Sequence, residues 1–244
     1  MGPASRTTFG DLCLEDWGIV VESILDDPPA ARIETEEVPG SDGVEVLGVT
    51  REQMEITLEC RAFTRDWHSF DELKDMLGSL IGTDAELTTR SHPGGRYHAY
   101  LTEVQTGDRL NGIGAITLTF VVPGSVRTGV ESTLTIPSGG ETTFEVNGTG
   151  TPRLVITCPN AVRNTSSNVW GLTFDDSAVV QVRIPTSAAS SVSIDCADRV
   201  VKVAGATSMI TLSSDWPKLS RGTHAVRMSQ GTGDATITMT ERWL

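Results

Sequence analysis

The residues able to do chemistry are few and poorly spaced for it. The four histidines are His68, His92, His98 and His224, and none has another ligand at metal-binding spacing. The four cysteines, Cys13, Cys60, Cys158 and Cys196, contain no Cys-x-x-Cys. Such wide spacing favours buried free thiols over a metal site or a disulfide. Asp175-Asp176 and the pair Asp195 and Asp198 are the nearest approach to paired acids. Consecutive strand residues face opposite ways, so Asp175-Asp176 reads as the cap of a hairpin rather than as a general acid and base. No Gly-x-Ser-x-Gly, Walker loop, His-Glu-x-x-His or dinucleotide fingerprint occurs. The expectation is a protein without catalysis, cofactor or metal.

Sugar binding is the remaining small-molecule chemistry to weigh. It needs an open aromatic face, and Trp170 and Trp216 are the candidates. Trp170 stands in the alternating run Val169–Leu172, where burial is the better reading. The second half has only Trp170, Trp216, Trp243, Phe144 and Phe174 as Trp or Phe, which argues against an aromatic platform.

Charge says more. The formal net charge is −13. Residues 1–122 hold 9 Lys+Arg against 22 Asp+Glu, and residues 123–244 hold 10 of each. The whole acidic surplus therefore sits in one half, and two such unlike surfaces imply two jobs. An acidic surface opposes specific nucleic-acid binding, because it repels phosphates where counterion release should supply affinity. It suits a passage through which DNA moves without sticking. No run of about eighteen apolar residues exists, so no membrane span is expected. Met1-Gly-Pro-Ala-Ser-Arg6 lacks an apolar signal core, and synthesis in a cytosol is the expectation.

The elements that carry these residues are mostly strands. Residues 17–25 and 31–38 read as strands, followed by a dense turn at Val38–Gly43. In 51–61, Met54, Ile56, Leu58 and Cys60 alternate with Gln53, Glu55, Thr57 and Glu59. This gives one buried face and one wet, acidic face. A helix is predicted over 70–81, with Ser69 and Glu72 as a capping box, an apolar stripe from Leu73 to Ile81, and Gly82 as its C-terminal cap. Residues 84–90 form a further strand, and 97–104 with 114–122 form a hairpin around Asp108–Gly112.

Pro123-Gly124 should stop the strand that ends at Phe120, so 123–132 reads as a hinge between domains 1–122 and 133–244. Beyond it, short strands recur about every ten residues: 133–136, 143–146, 153–157, 169–174, 179–184, 191–195, 200–203, 209–212, 224–228 and 235–240. The fold class is mainly β: a first domain with one helix on a sheet, then a β-sandwich.

Taken in order, these features resemble the distal tail protein (Dit) family of long-tailed phages. The carriers are Pro39-Gly-Ser-Asp-Gly43, strand 51–61 with helix 70–81, Phe120 with Pro123, Trp216-Pro-Lys-Leu-Ser-Arg-Gly222, and the terminal Trp243-Leu244. Ser41 stands where the family often has Arg or Lys. The resemblance implies a homohexameric ring at the tail tip, a first domain forming a belt around a channel, and a galectin-like sandwich outside it. It implies contacts with the tail tube, the hub or lysin-type protein and, in many phages, receptor-binding proteins. The expected place is the virion tail tip. Glu55 and Glu59, on the wet face of 51–61, are the expected channel-lining residues. The alternative is a carbohydrate-binding, host-recognition module.

Overall fold

The computed structural model describes residues 6–37, 42–110 and 112–244. The chain divides into two compact units, one ending at Arg127 and one running from Thr128 to Leu244. The turn expected at Pro39-Gly-Ser41 lies outside the described residues.

The first unit runs β1 (Thr8–Phe9), β2 (Leu12–Cys13), a 3-10 turn (Glu15–Trp17), β3 (Ile19–Leu25), β4 (Ala31–Glu37), β5 (Val44–Arg51), β6 (Met54–Phe63), α1 (Trp67–Ser79), β7 (Asp84–Thr88), β8 (Arg96–Leu110) and β9 (Ile113–Val122). All described pairings in it are antiparallel, in the order β3-β6-β9-β8-β7-β1-β2. The alternation in β6 is realised along its length: Met54, Ile56, Leu58, Cys60 and Ala62 are buried, and Glu55, Glu59, Arg61 and Phe63 are exposed. Ile116, Leu118 and Phe120 of β9 join the same core, with Phe70, Leu73 and Leu77 of α1. Ile56 and Leu58 are fully buried, and each burial contributes about 1.5–3 kcal/mol.

The helix starts earlier than predicted. Its N-cap is Asp66, whose carboxylate accepts the Ser69 N–H at 2.9 Å and the Ser69 hydroxyl at 2.9 Å. Asp66-x-x-Ser69 satisfies the orphan amide one turn upstream of the expected box. Glu72 instead meets His68 Nε2 at 3.3 Å, one helical turn away. Gly82 does not cap the helix; Leu80 does. Gly82, at φ 85°, donates its N–H to Leu101 O at 2.8 Å and turns the chain into β7.

β4 and β5 pair only with each other. The sequence reading missed β5 because a bulge separates the pairs Glu34↔Gly48 and Thr35↔Val46. The extra residue, Leu47, breaks the period of two.

The second unit comprises β10 (Arg127–Ile136), which opens at its border, then β11 (Glu141–Val146), β12 (Gly150–Ala161), β13 (Val169–Phe174), β14 (Ala178–Arg183), β15 (Ser190–Asp195), β16 (Val200–Val203), β17 (Ala206–Ser208), β18 (Gly222–Gln230) and β19 (Ala235–Trp243). Residues 127–132, read from sequence as hinge, are strand; Pro123-Gly124 end β9, but Val130 and Thr133 suit a new strand at once. One sheet runs β17-β16-β15-β12-β19-β10 and the other β11-β18-β13-β14. Their inner faces share one core that includes Ile156, Trp170, Phe174, Ile194, Val226 and Ile237. This is a β-sandwich.

The predicted strand at 209–212 is an edge cover. Ile210 bridges Val182, Thr211 N–H donates to Gln181 O at 2.8 Å, and Asp215 N–H donates to Val179 O at 2.8 Å. The open side of β14 is thereby paired rather than left as a template for another chain.

Candidate assembly surface

The candidates for chemistry do not come together. Asp175 and Asp176 sit at φ 47° and 55° in the β13–β14 turn, closed by Ser177 N–H on Phe174 O at 3.0 Å. Asp195 and Asp198 both hold Arg153, at 2.7 and 2.6 Å. Asp195 Oδ1 also accepts the Ala197 and Asp198 amides, so this pair ties down a turn. His92 and His98 face Asp26 and Asp84 at 3.5 and 3.6 Å. Among the described residues no group of three His, Cys, Asp or Glu could hold a metal ion.

The four thiols are free. Cys60 and Cys158 are buried, while Cys13 and Cys196 are only partly so. Burial pushes the Cys60 and Cys196 thiols up to about 12, which leaves them inert. Trp170 is fully buried in the sandwich core, and Trp216 is half-buried against it. Trp170 thus offers no open face to a sugar.

His224, which has no partner at metal-binding spacing in the sequence, is held on both nitrogens. Nδ1 lies 2.6 Å from Asp175 Oδ2, and Nε2 lies 2.6 Å from Ser220 O. Two acceptors call for two donors, an arrangement that favours the protonated ring. Burial opposes that charge, but the Asp175 carboxylate and Ser220 carbonyl outweigh it, and the pKa rises. The clasp joins the β13–β14 turn to the Trp216–Gly222 segment. No spacing rule would have found it, because its three members are distant or unremarkable in sequence.

An acidic surface lies on the outer side of the first unit's sheet. Glu55 and Glu59 both project there from β6, with Thr57 between them. Two residue pairs along one strand face place them roughly 13 Å apart. Opposite Glu59 stand Ser23 on β3 and Thr117 on β9, and opposite Thr119 stands Glu103 on β8. Arg61 is the basic residue of this face on β6, and it is engaged by Glu22 at 2.8 and 3.2 Å. The sheet therefore presents exposed carboxylates among hydroxyls.

Two family models match the chain. One, described as phage tail protein RIFT-related domain, matches residues 11–122. The other, described as siphovirus-type tail component, C-terminal domain, matches residues 149–243. The chain belongs to the siphovirus-type distal tail (Dit) family. It is a phage tail component.

The crystal structure of the SPP1 Dit protein has the same fold as this Dit-family chain. The TM-score is 0.77 at 16% identity, over 99% of this chain and 100% of that one. That protein is described as a paradigm of the hub adsorption apparatus in phages infecting Gram-positive hosts. Two structures of the phage P2 baseplate in its activated conformation, with Ca and with Sr, align at 10% identity. They cover 94% of this chain and 92% of theirs, with a TM-score of 0.46. No curated protein matches this Dit-family chain by sequence.

Proposed function

We propose that this Dit-family protein closes as a homohexameric ring at the virion's tail tip, joining the tail tube to the hub and letting DNA pass. The unit ending at Arg127 forms the belt, and the sandwich beyond it projects outward as the docking body for hub or receptor-binding proteins. The observation that carries this reading is the confinement of the acidic surplus to residues 1–122, the span in which the RIFT-related tail domain is matched. Glu55 and Glu59 line the channel: they stand open on a rigid sheet, and among the described residues neither pairs with a cation. Six copies multiply that field, so DNA phosphates meet like charge and slide. The work is geometric, which fits a chain whose acids and histidines are spent on turns and clasps.

The test is mass. Sedimentation of the purified full chain at rising concentration should give a species six times 26.1 kDa. A protein that stays monomeric at every concentration, with or without tube and hub partners, contradicts the ring.

A further inference from the structure

The sandwich carries a strap of irregular chain, residues 209–221, which begins along the open edge of β14. The first part of the strap is well fastened. Ile210 bridges Val182, the Thr211 and Asp215 amides donate to Gln181 O and Val179 O at 2.8 Å each, and Ser214 Oγ accepts the Gln181 N–H at 2.9 Å. The last part is not. Past Asp215, among the described residues, one hydrogen bond ties the strap to the sandwich, from His224 Nε2 to Ser220 O at 2.6 Å. Leu219 is buried and Trp216 packs partly against the core, while Lys218 and Arg221 are exposed.

That one bond depends on a proton. His224 stands between two acceptors, with Asp175 Oδ2 at Nδ1 and Ser220 O at Nε2, both at 2.6 Å. A protonated imidazole donates to both, and a neutral one donates to only one. The carboxylate is the stronger acceptor, so it keeps the remaining proton on Nδ1. Nε2 then turns a lone pair toward the Ser220 carbonyl oxygen, and attraction becomes repulsion. The other groups around the ring do not alter this. Phe144 faces it from β11. Glu145 on β11 and Arg227 on β18 alternate to the other face of the sheet, where Asp176 holds Arg227. Lys218 and Arg221 flank Ser220 in the strap, but the charge that acts on the ring is Asp175.

We propose that His224 is a proton-operated latch: loss of its proton frees the far half of the strap, residues 216–221, while the near half stays fastened to β14. The opening is local. It uncovers Trp216 and Leu219 and leaves the two sheets paired. Asp175 and the Ser220 carbonyl outweigh burial and hold the ring's pKa above 6.5. The latch is therefore shut below 6.5 and opens as pH climbs through the raised value.

Trypsin reads this in the full-length protein, because Lys218 and Arg221 lie in the strap and a protease cuts chain that has opened locally. Cuts are located by mass spectrometry at about pH 6.5 and about pH 9, on either side of the raised value. Rates are referred to an unfolded peptide, which removes the pH dependence of trypsin itself. Cleavage after Lys218 and Arg221 should accelerate roughly tenfold at the higher pH, the scale of one lost hydrogen bond to a charged group. Cuts elsewhere should not follow. In His224→Gln the strap should be cut fast at both pH values. In Asp175→Asn the acceleration should move to lower pH, since the charge that retains the proton is gone; a merely structural contact would give no such shift. Strap cuts that track the rest of the chain, or an acceleration that persists in His224→Gln, would overturn the latch. Should His224→Gln fold poorly, which far-ultraviolet circular dichroism would report, Asp175→Asn decides: an unmoved transition overturns the latch.

Discussion

His224 Nδ1 and Asp175 Oδ2 stand 2.6 Å apart across the end of the sandwich's four-stranded sheet. Asp175 also accepts the Ala225 N–H at 2.9 Å through its other oxygen. Phe144 covers the imidazole at 5.8 Å between ring centres, and Arg227 is occupied by the neighbouring Asp176 at 3.0 Å. Burial raises the Asp175 carboxyl, but the Ala225 amide and His224 outweigh it and bring it below 3.8. For His224 the shift is upward from 6.5. The histidine's contribution is therefore complete below 6.5 and is lost as pH rises through its raised value. The aspartate's is complete above 3.8 and is lost as pH falls through its lowered value. The clasp is strongest between those two ordinary values. Melting temperature should fall from pH 6 toward pH 9 in the wild type and change less over that range in His224→Gln; parallel curves would disprove the clasp.

The cap of α1 gives a second expectation. Asp66→Ala should lower the melting temperature more than Glu72→Ala, because Asp66 and not Glu72 satisfies a helix-terminal amide. The Asp66 carboxyl is lowered by the Ser69 amide and hydroxyl, so its share of stability vanishes as pH drops below its ordinary 3.8. Equal losses from the two substitutions would return the cap to the Ser69–Glu72 box.

Gly114 marks where β9 passes under the helix. A Cβ there would stand 2.5 Å from Phe70 Cε2 and 2.7 Å from Cζ. Gly114→Ala should cost about 1–3 kcal/mol by overpacking. Urea denaturation of the purified protein measures it, and an unchanged midpoint would show that Phe70 yields freely.

The channel assignment makes its own demand. Glu55→Lys with Glu59→Lys places cations where DNA would pass, while both positions are exposed in the single chain. Rings should form and DNA ejection from assembled phage should slow, more so at low salt, where attraction is less screened. Ejection at the wild-type rate would remove these residues from the channel wall.

Sequence period carried far in this protein where strands are regular. β6 was readable because Met54 to Ala62 alternate without a break, and β13 because Val169 to Phe174 are compact and apolar. β5 was not, since Leu47 throws its phase off. Helix α1 was legible by its stripe and misplaced by its cap, because Asp66-x-x-Ser69 and Ser69-x-x-Glu72 overlap and only packing chooses between them. Glu55 and Glu59 were correctly set on the wet face. The His224 clasp was hidden because Asp175 lies far from it in sequence and neither Ser220 nor His224 stands out there.

The most direct measurement is electron microscopy of the purified full chain, carried to a resolution that traces β6. The account expects a closed six-fold ring with Glu55 and Glu59 turned toward its bore. Open chains, a two-fold dimer, or a ring with the β6 carboxylates on its outer wall would contradict it.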